Sequence, residues 1–136
     1  MNADGAQINA DARRQRLNAV SRAIIGAAQN VSNQLGLGFL EKVYENSLVI
    51  MLEQLGLHVV QQGAIQVYFQ GHIVGDYIPD LLVEDSVIVE IKALQAIDRV
   101  HRQQCVNYLR ATNHTLALLL NFGRPHLEVA RIVWHF

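Results

Sequence analysis

The succession of hydrophobic patterns along this chain predicts an α/β fold. Two segments before residue 56 repeat apolar residues at helical spacing. From residue 58 the chain becomes rich in β-branched and aromatic residues, and a further helical stretch then separates earlier strands from later ones. Helices and strands alternating in this way bury their apolar faces against one another in layers.

Each element has its own signal. Residues 1–10 are polar and rich in small side chains, so they read as a frayed tail ahead of a single domain over 11–136. Leu17, Val20, Ile24, Ala27, Ala28, Val31 and Leu35 recur at helical spacing, and Gly36 supplies a stop. A second helix is expected over 39–55, with Tyr44, Leu48, Met51, Leu52 and Leu55 on its buried stripe. Residues 58–69 and 72–84 read as the two strands of a hairpin about a Gln70-Gly71 turn. A strand over 87–91 leads into a helix over 98–111, then strands over 115–120 and 130–134. No internal repeat or low-complexity linker interrupts this order.

Chemistry concentrates in Ile78-Pro-Asp-Leu-Leu-Val-Glu-Asp-Ser-Val-Ile-Val-Glu-Ile-Lys92. Asp80, Glu90 and Lys92 lie at the ends of two apolar segments. Magnesium takes oxygen ligands and keeps several waters, so two carboxylates and a phosphate complete its shell. A lysine beside them can orient water or offset charge on a scissile phosphate. Glu90 and Lys92 are two apart on a strand and share a face, although the pair could equally be solvated or bonded to each other for structure. The pattern resembles the PD-(D/E)xK nuclease superfamily.

Two further constellations extend the resemblance. Gly38-Phe-Leu-Glu-Lys-Val-Tyr44 resembles the motif of the GxxExxY family within that superfamily, and the likeness runs over about residues 31–133, through Asp80-Leu-Leu-Val-Glu, Val89-Glu-Ile-Lys-Ala, Asn107-Tyr-Leu and Asn121-Phe-Gly. Glu41 and Tyr44 share a helix face, with Gly38 expected where a side chain would obstruct a ligand or the neighbouring turn. The plainer readings are a first-turn glutamate favoured by the helix dipole and a core aromatic. Gln104-Cys-Val-Asn-Tyr108 matches the QxxxY element of the recombination-nuclease branch; four apart on a helix, Gln104 and Tyr108 can reach the same phosphate or metal-bound water. His101 also fits the family pattern, or is simply a solvated or packed histidine. Asn121-Phe-Gly123 reads as a structural strand end and turn.

The resemblance implies a restriction-endonuclease-like α-β-β-β-α-β core, a mixed central sheet flanked by helices, with an extra N-terminal helix. It also implies Mg²⁺ or Mn²⁺ held by Asp80, Glu90 and Glu41, catalysis by Lys92 with Asp80 and Glu90, and positioning of substrate by Gln104, Tyr108, Tyr44 and His101.

Composition narrows the function. The 136 residues, 51% hydrophobic, suit one domain with one real core. A protein that relies on nonspecific electrostatic adhesion to nucleic acid is usually basic, whereas this chain has 11 Lys and Arg against 12 Asp and Glu, so either it has a local basic patch or it binds weakly or with help. Arg99, Arg102 and Arg110 are candidates for a local basic patch, or merely a solvated helix face. The single Cys105 excludes an internal disulfide, a cysteine zinc site and the four-cysteine iron-sulfur cluster of some superfamily nucleases; it reads as packed. No secretory or membrane-length apolar run appears, so a soluble cytoplasmic protein is expected.

Two functions stand: a divalent-metal-dependent nuclease acting on DNA or RNA, or a non-catalytic nucleic-acid-binding or protein-interaction module on the same fold. The small residues of Ile24-Ile-Gly-Ala-Ala28 would permit close helix approach, either in a homodimer or against the chain's own sheet.

Overall fold

The computed structural model describes residues 3–135. Helix α1 (Ala3–Leu35) begins well before Leu17. No proline interrupts it, and side-chain bonds from Gln7 and Arg14 to Asp11, at 3.0 and 3.1 Å, link successive turns of its exposed polar part. Residues 3–10 of the expected tail are thus helical, while Met1 and Asn2 lie outside the described residues. Helix α2 (Glu41–Gln54) follows a short loop.

Seven strands come next in place of the five expected: β1 (Val59–Gln61), β2 (Ile65–Phe69), β3 (His72–Tyr77), β4 (Leu81–Val83), β5 (Val87–Lys92), then helix α3 (Arg99–Thr112), β6 (Leu116–Asn121) and β7 (Glu128–Val133). The difference lies in the long hairpin. Each of its arms is cut in two, the first where Gln62 adopts a positive φ of 56°, the second at Ile78-Pro79-Asp80, where proline has no N–H for a ladder. β2 and β3 form a separate two-stranded sheet, whereas β1 and β4 join a five-stranded sheet ordered β1-β4-β5-β6-β7.

That sheet is mixed. β5 and β6 run parallel with α3 as their crossover, and the remaining pairs are antiparallel. Alternate residues serve opposite faces. Val87, Val89, Ile91, Leu116, Leu118 and Leu120 pack with Ile24 and Ala28 of α1 and with Leu48 and Leu52 of α2. Ile88, Ala117 and Leu119 pack with Cys105 and Leu109 of α3 and Tyr77 of β3. The nearly continuous apolar runs of β5 and β6 are what burial on both faces demands. This is the mixed sheet flanked by helices that the chain's pattern and resemblance imply. The stripe over 24–28 faces the chain's own sheet, with Ile24, Ala27 and Ala28 buried there, so it gives no ground for a homodimer. Among the described residues no helix is long and apolar enough to cross a membrane.

Candidate active site

Register brings the central carboxylates together. Leu81 of β4 pairs with Val89 of β5, so Asp80, just before β4, stands opposite Glu90. Asp80 Oδ2 accepts the Ile91 N–H at 2.7 Å, and its carboxylate is in hydrogen-bonding contact with that of Glu90. Burial pushes the Glu90 carboxyl up to about 7; a bond from the Tyr77 hydroxyl opposes the shift, the Asp80 charge adds to it and the Lys92 charge reduces it. Lys92, two residues on, therefore lies within electrostatic reach of Glu90. No ion pair of Lys92 with a carboxylate is formed among the described residues.

Glu41 approaches from α2. As the first residue of that helix, it accepts the Ala93 N–H at 3.3 Å, one position beyond Lys92, and lines one open cleft with Asp80, Glu45, Gln62, Phe39 and Leu40. It does not close on the Asp80 and Glu90 pair: among the described residues no three acidic, histidine or cysteine side chains form a metal-holding group. The donors nonetheless suit a hard cation. Two crowded carboxylates, one of them with its charge disfavoured by burial, would be relieved by a divalent ion, and waters and a phosphate can supply the other positions.

Glu45 and Gln62 are site residues that the motifs did not reveal. Buried Glu45 accepts bonds from Lys42 at 2.9 Å, Gln61 at 2.6 Å and Gln62 at 3.1 Å. Burial raises its pKa, but these partners outweigh burial and hold it below the usual value. Gln62 also donates to Asp80 Oδ1 at 3.1 Å, and its N–H to the Asp80 carbonyl at 3.0 Å. The signal was present in the spacing, since Glu45 follows Glu41 by four residues and shares its helix face. What the sequence hid was the chain break that delivers Gln62.

Tyr44 and His101 stand outside the cleft. Tyr44 is buried and stacked on Phe122 with ring centroids 4.7 Å apart. Its hydroxyl donates to the Gly36 carbonyl at 2.6 Å and accepts the Phe39 N–H at 3.3 Å, so it clamps the loop that leads into Glu41. Gly38 in that loop has φ 102°, a conformation that favours glycine, and no atom of the rest of the chain lies within 4 Å of where a Cβ would stand, so crowding by the neighbouring turn does not explain it. His101 caps α3: its Nδ1 accepts the Asp98 N–H at 3.1 Å, while Asp98 accepts the N–H groups of Val100 and His101.

Gln104 and Tyr108 do connect to the carboxylates, through a residue not singled out in the sequence. Gln104 donates to the Tyr108 hydroxyl at 2.9 Å. Tyr108 stacks on Tyr77 with centroids 3.7 Å apart, and the Tyr77 hydroxyl bonds to Glu90 Oε1. Cys105, on the same helix, is buried and its thiol is pushed up to about 12, first by burial and then by the Glu90 charge. The three arginines of α3 do not make one patch. Arg110 lies over the Trp134 ring at 5.0 Å, whereas Arg102, with Arg124, acts on Glu128 at the other end of the helix.

Asn121 and Gly123 fix the segment after Lys92. The buried Asn121 amide accepts the Leu94 N–H at 2.8 Å and donates to the Leu94 carbonyl at 3.0 Å. A Cβ on Gly123 would collide with the backbone of Ala93 and Leu94. The strand end and turn read from Asn121-Phe-Gly123 are thus the brace that holds the Lys92 end of β5.

Comparison with curated proteins and with solved structures gave no match. A family model does match: that of the PD-(D/E)XK nuclease superfamily, over residues 18–132. The matched span includes both carboxylates of the register pair, Lys92, and the sheet and crossover helix that carry them. Fold, strand register and family match agree, and the chain belongs to the PD-(D/E)XK nuclease superfamily.

Proposed function

We propose that this protein is a divalent-metal-dependent nuclease that hydrolyses phosphodiester bonds in DNA or RNA, and that its Gly38 to Tyr44 motif groups it with GxxExxY proteins. The observation that carries this reading is the register of β4 on β5, which sets Asp80 against Glu90 on the strand that ends in Lys92. Asp80 and Glu90 would hold Mg²⁺ or Mn²⁺, with Glu41 as an additional carboxylate, and the ion when bound supplies positive charge against the phosphate and a more acidic water. Lys92 offsets charge developing on the scissile phosphate and orients the attacking water. Gln104 and Tyr108 position a phosphate oxygen or that water, and Tyr77 ties them to Glu90. Tyr44 and His101 act at one remove, by shaping the loop before Glu41 and the start of α3.

One observation favours the non-catalytic alternative: Glu41 is bonded to the Ala93 N–H and stands apart from the carboxylate pair. The test is calorimetric titration with Mn²⁺ alongside cleavage of generic DNA and RNA. Cleavage should stop with chelator and fall about a hundredfold in Lys92→Ala, the scale of losing a charge-stabilising group. Asp80→Ala should abolish metal binding. Activity indifferent to chelator or to Lys92→Ala would sink the reading.

A further inference from the structure

The cleft that holds Glu41 and Asp80 has an apolar rim. Leu40 is 79% exposed and Phe39 46%, and both line that cleft. Leu37, just before them, is 53% exposed. The rim is not a loose loop, because the Tyr44 hydroxyl ties the Gly36 carbonyl to the Phe39 N–H and the Tyr44 ring meets Phe39 edge to face at 6.1 Å. A rigid, solvated apolar edge next to carboxylates has no role in this fold's own core.

The occupant follows from continuity with the site. A phosphodiester that a divalent ion would bridge to Asp80, in the cleft that Glu41 also lines, brings its flanking nucleotide against Phe39 and Leu40, and the part of a nucleotide that an apolar surface attracts is the base face. In a duplex those faces are stacked inside. We infer that Phe39 and Leu40 form a base-contacting lip, so that the substrate is single-stranded nucleic acid or an unpaired end. This rests on the nuclease reading and names its substrate class.

The experiment is fluorescence anisotropy of a labelled single-stranded oligonucleotide and a blunt duplex of the same sequence, in Ca²⁺, a hard cation able to bridge carboxylate and phosphate, with each oligonucleotide checked to be uncut, using the full chain, Leu40→Ser and Phe39→Ala. The single strand should bind at least about tenfold more tightly than the duplex, and each variant should lose about tenfold on the single strand alone, the scale of one base contact. Leu40 is so exposed that Leu40→Ser keeps the fold, and it decides the matter should Phe39→Ala unfold. Equal affinities, binding unchanged in Leu40→Ser, or no binding to either oligonucleotide overturns the lip. A fall in molar mass by light scattering on Leu40→Ser overturns it too, by making the rim a contact between copies. Cleavage with Mn²⁺, run in parallel, separates the two readings. Metal-dependent cutting indifferent to strandedness removes the lip and leaves the nuclease, whereas single-strand binding through Leu40 without any cutting keeps the lip and removes the nuclease.

Discussion

Among the carboxylates of the candidate site, Glu90 has its charged form strongly disfavoured by burial. Its folded-state pKa stands at about 7 against an ordinary 4.5. Below pH 4.5 it is protonated in folded and unfolded chains alike, and its contribution to stability is fully present. Between 4.5 and 7 the unfolded chain ionises first, so stability falls as pH rises, by on the order of 3 kcal/mol once both forms are charged. In metal-free buffer, urea unfolding across this window should therefore show a decline that Glu90→Gln removes; equal slopes for the two proteins would contradict the assignment. The Tyr77 hydroxyl is the bond that favours the ionised form, so Tyr77→Phe should carry the decline to higher pH. Asp80 contributes by its charge and its contact with Glu90, which makes the pair a unit whose members are not replaceable one at a time.

At the scale of elements, interruptions matter more than the regular runs. The break at Gln62 and the break at Pro79 lie side by side, joined by the Gln62 N–H to the Asp80 carbonyl, and together they put Gln62 and Asp80 into the cleft. Across the sheet, the turn after β6 braces the segment after β5. Gly123→Ala would drive a Cβ to 2.7 Å from the Ala93 carbonyl carbon, closer still to the Leu94 backbone. Backbone on both sides cannot yield as a side-chain tip can, so a loss of about 1–3 kcal/mol is expected in urea unfolding, with reduced cleavage because the Lys92 end of β5 moves. Unchanged stability would mean the brace is slack. Helix α3 acts through its stacked tyrosine. Tyr108→Phe keeps the ring on Tyr77 and removes the bond from Gln104, so cleavage should weaken several-fold while calorimetric metal affinity stays near wild type, since a phenol contributes little to holding a hard cation. A loss of metal affinity equal to that of Asp80→Ala would move Tyr108 into the metal site itself.

For the whole molecule, one sheet separates two apolar layers, and the site sits at its end where both layers reach it. Glu41 comes from the α2 layer, Gln104 and Tyr108 from the α3 layer, and Glu90 and Lys92 from the strand between. Stability of the α1 layer therefore governs the site only indirectly. Ile24 is fully buried against the sheet, and Ile24→Ala should cost about 2–5 kcal/mol in denaturant titration with the molar mass by light scattering unchanged. A change in mass would show that the stripe over 24–28 meets another copy.

The order of helices and strands was legible in the sequence because local periodicity records which faces are buried: β5 and β6 read as apolar runs, and the β-branched residues around Glu90 already marked a strand covered on both sides. Asp80, Glu90, Lys92, Glu41 and the pair Gln104 and Tyr108 were legible as side chains whose chemistry suits a phosphodiester. Their mutual placement was not. Pairing Asp80 with Glu90 depends on strand register, and wiring Tyr108 to Glu90 depends on Tyr77 arriving from β3. Burying Glu45 against Gln61 and Gln62 depends on a chain break that periodicity averages away. Those are long-range contacts between elements, set by how layers pack, and local pattern carries no term for them. Tyr44 shows the same division: its place on the buried stripe of α2 was legible, but only the tertiary structure supplied Phe122 as its stacking partner and left Glu41, on the same helix face, at the cleft.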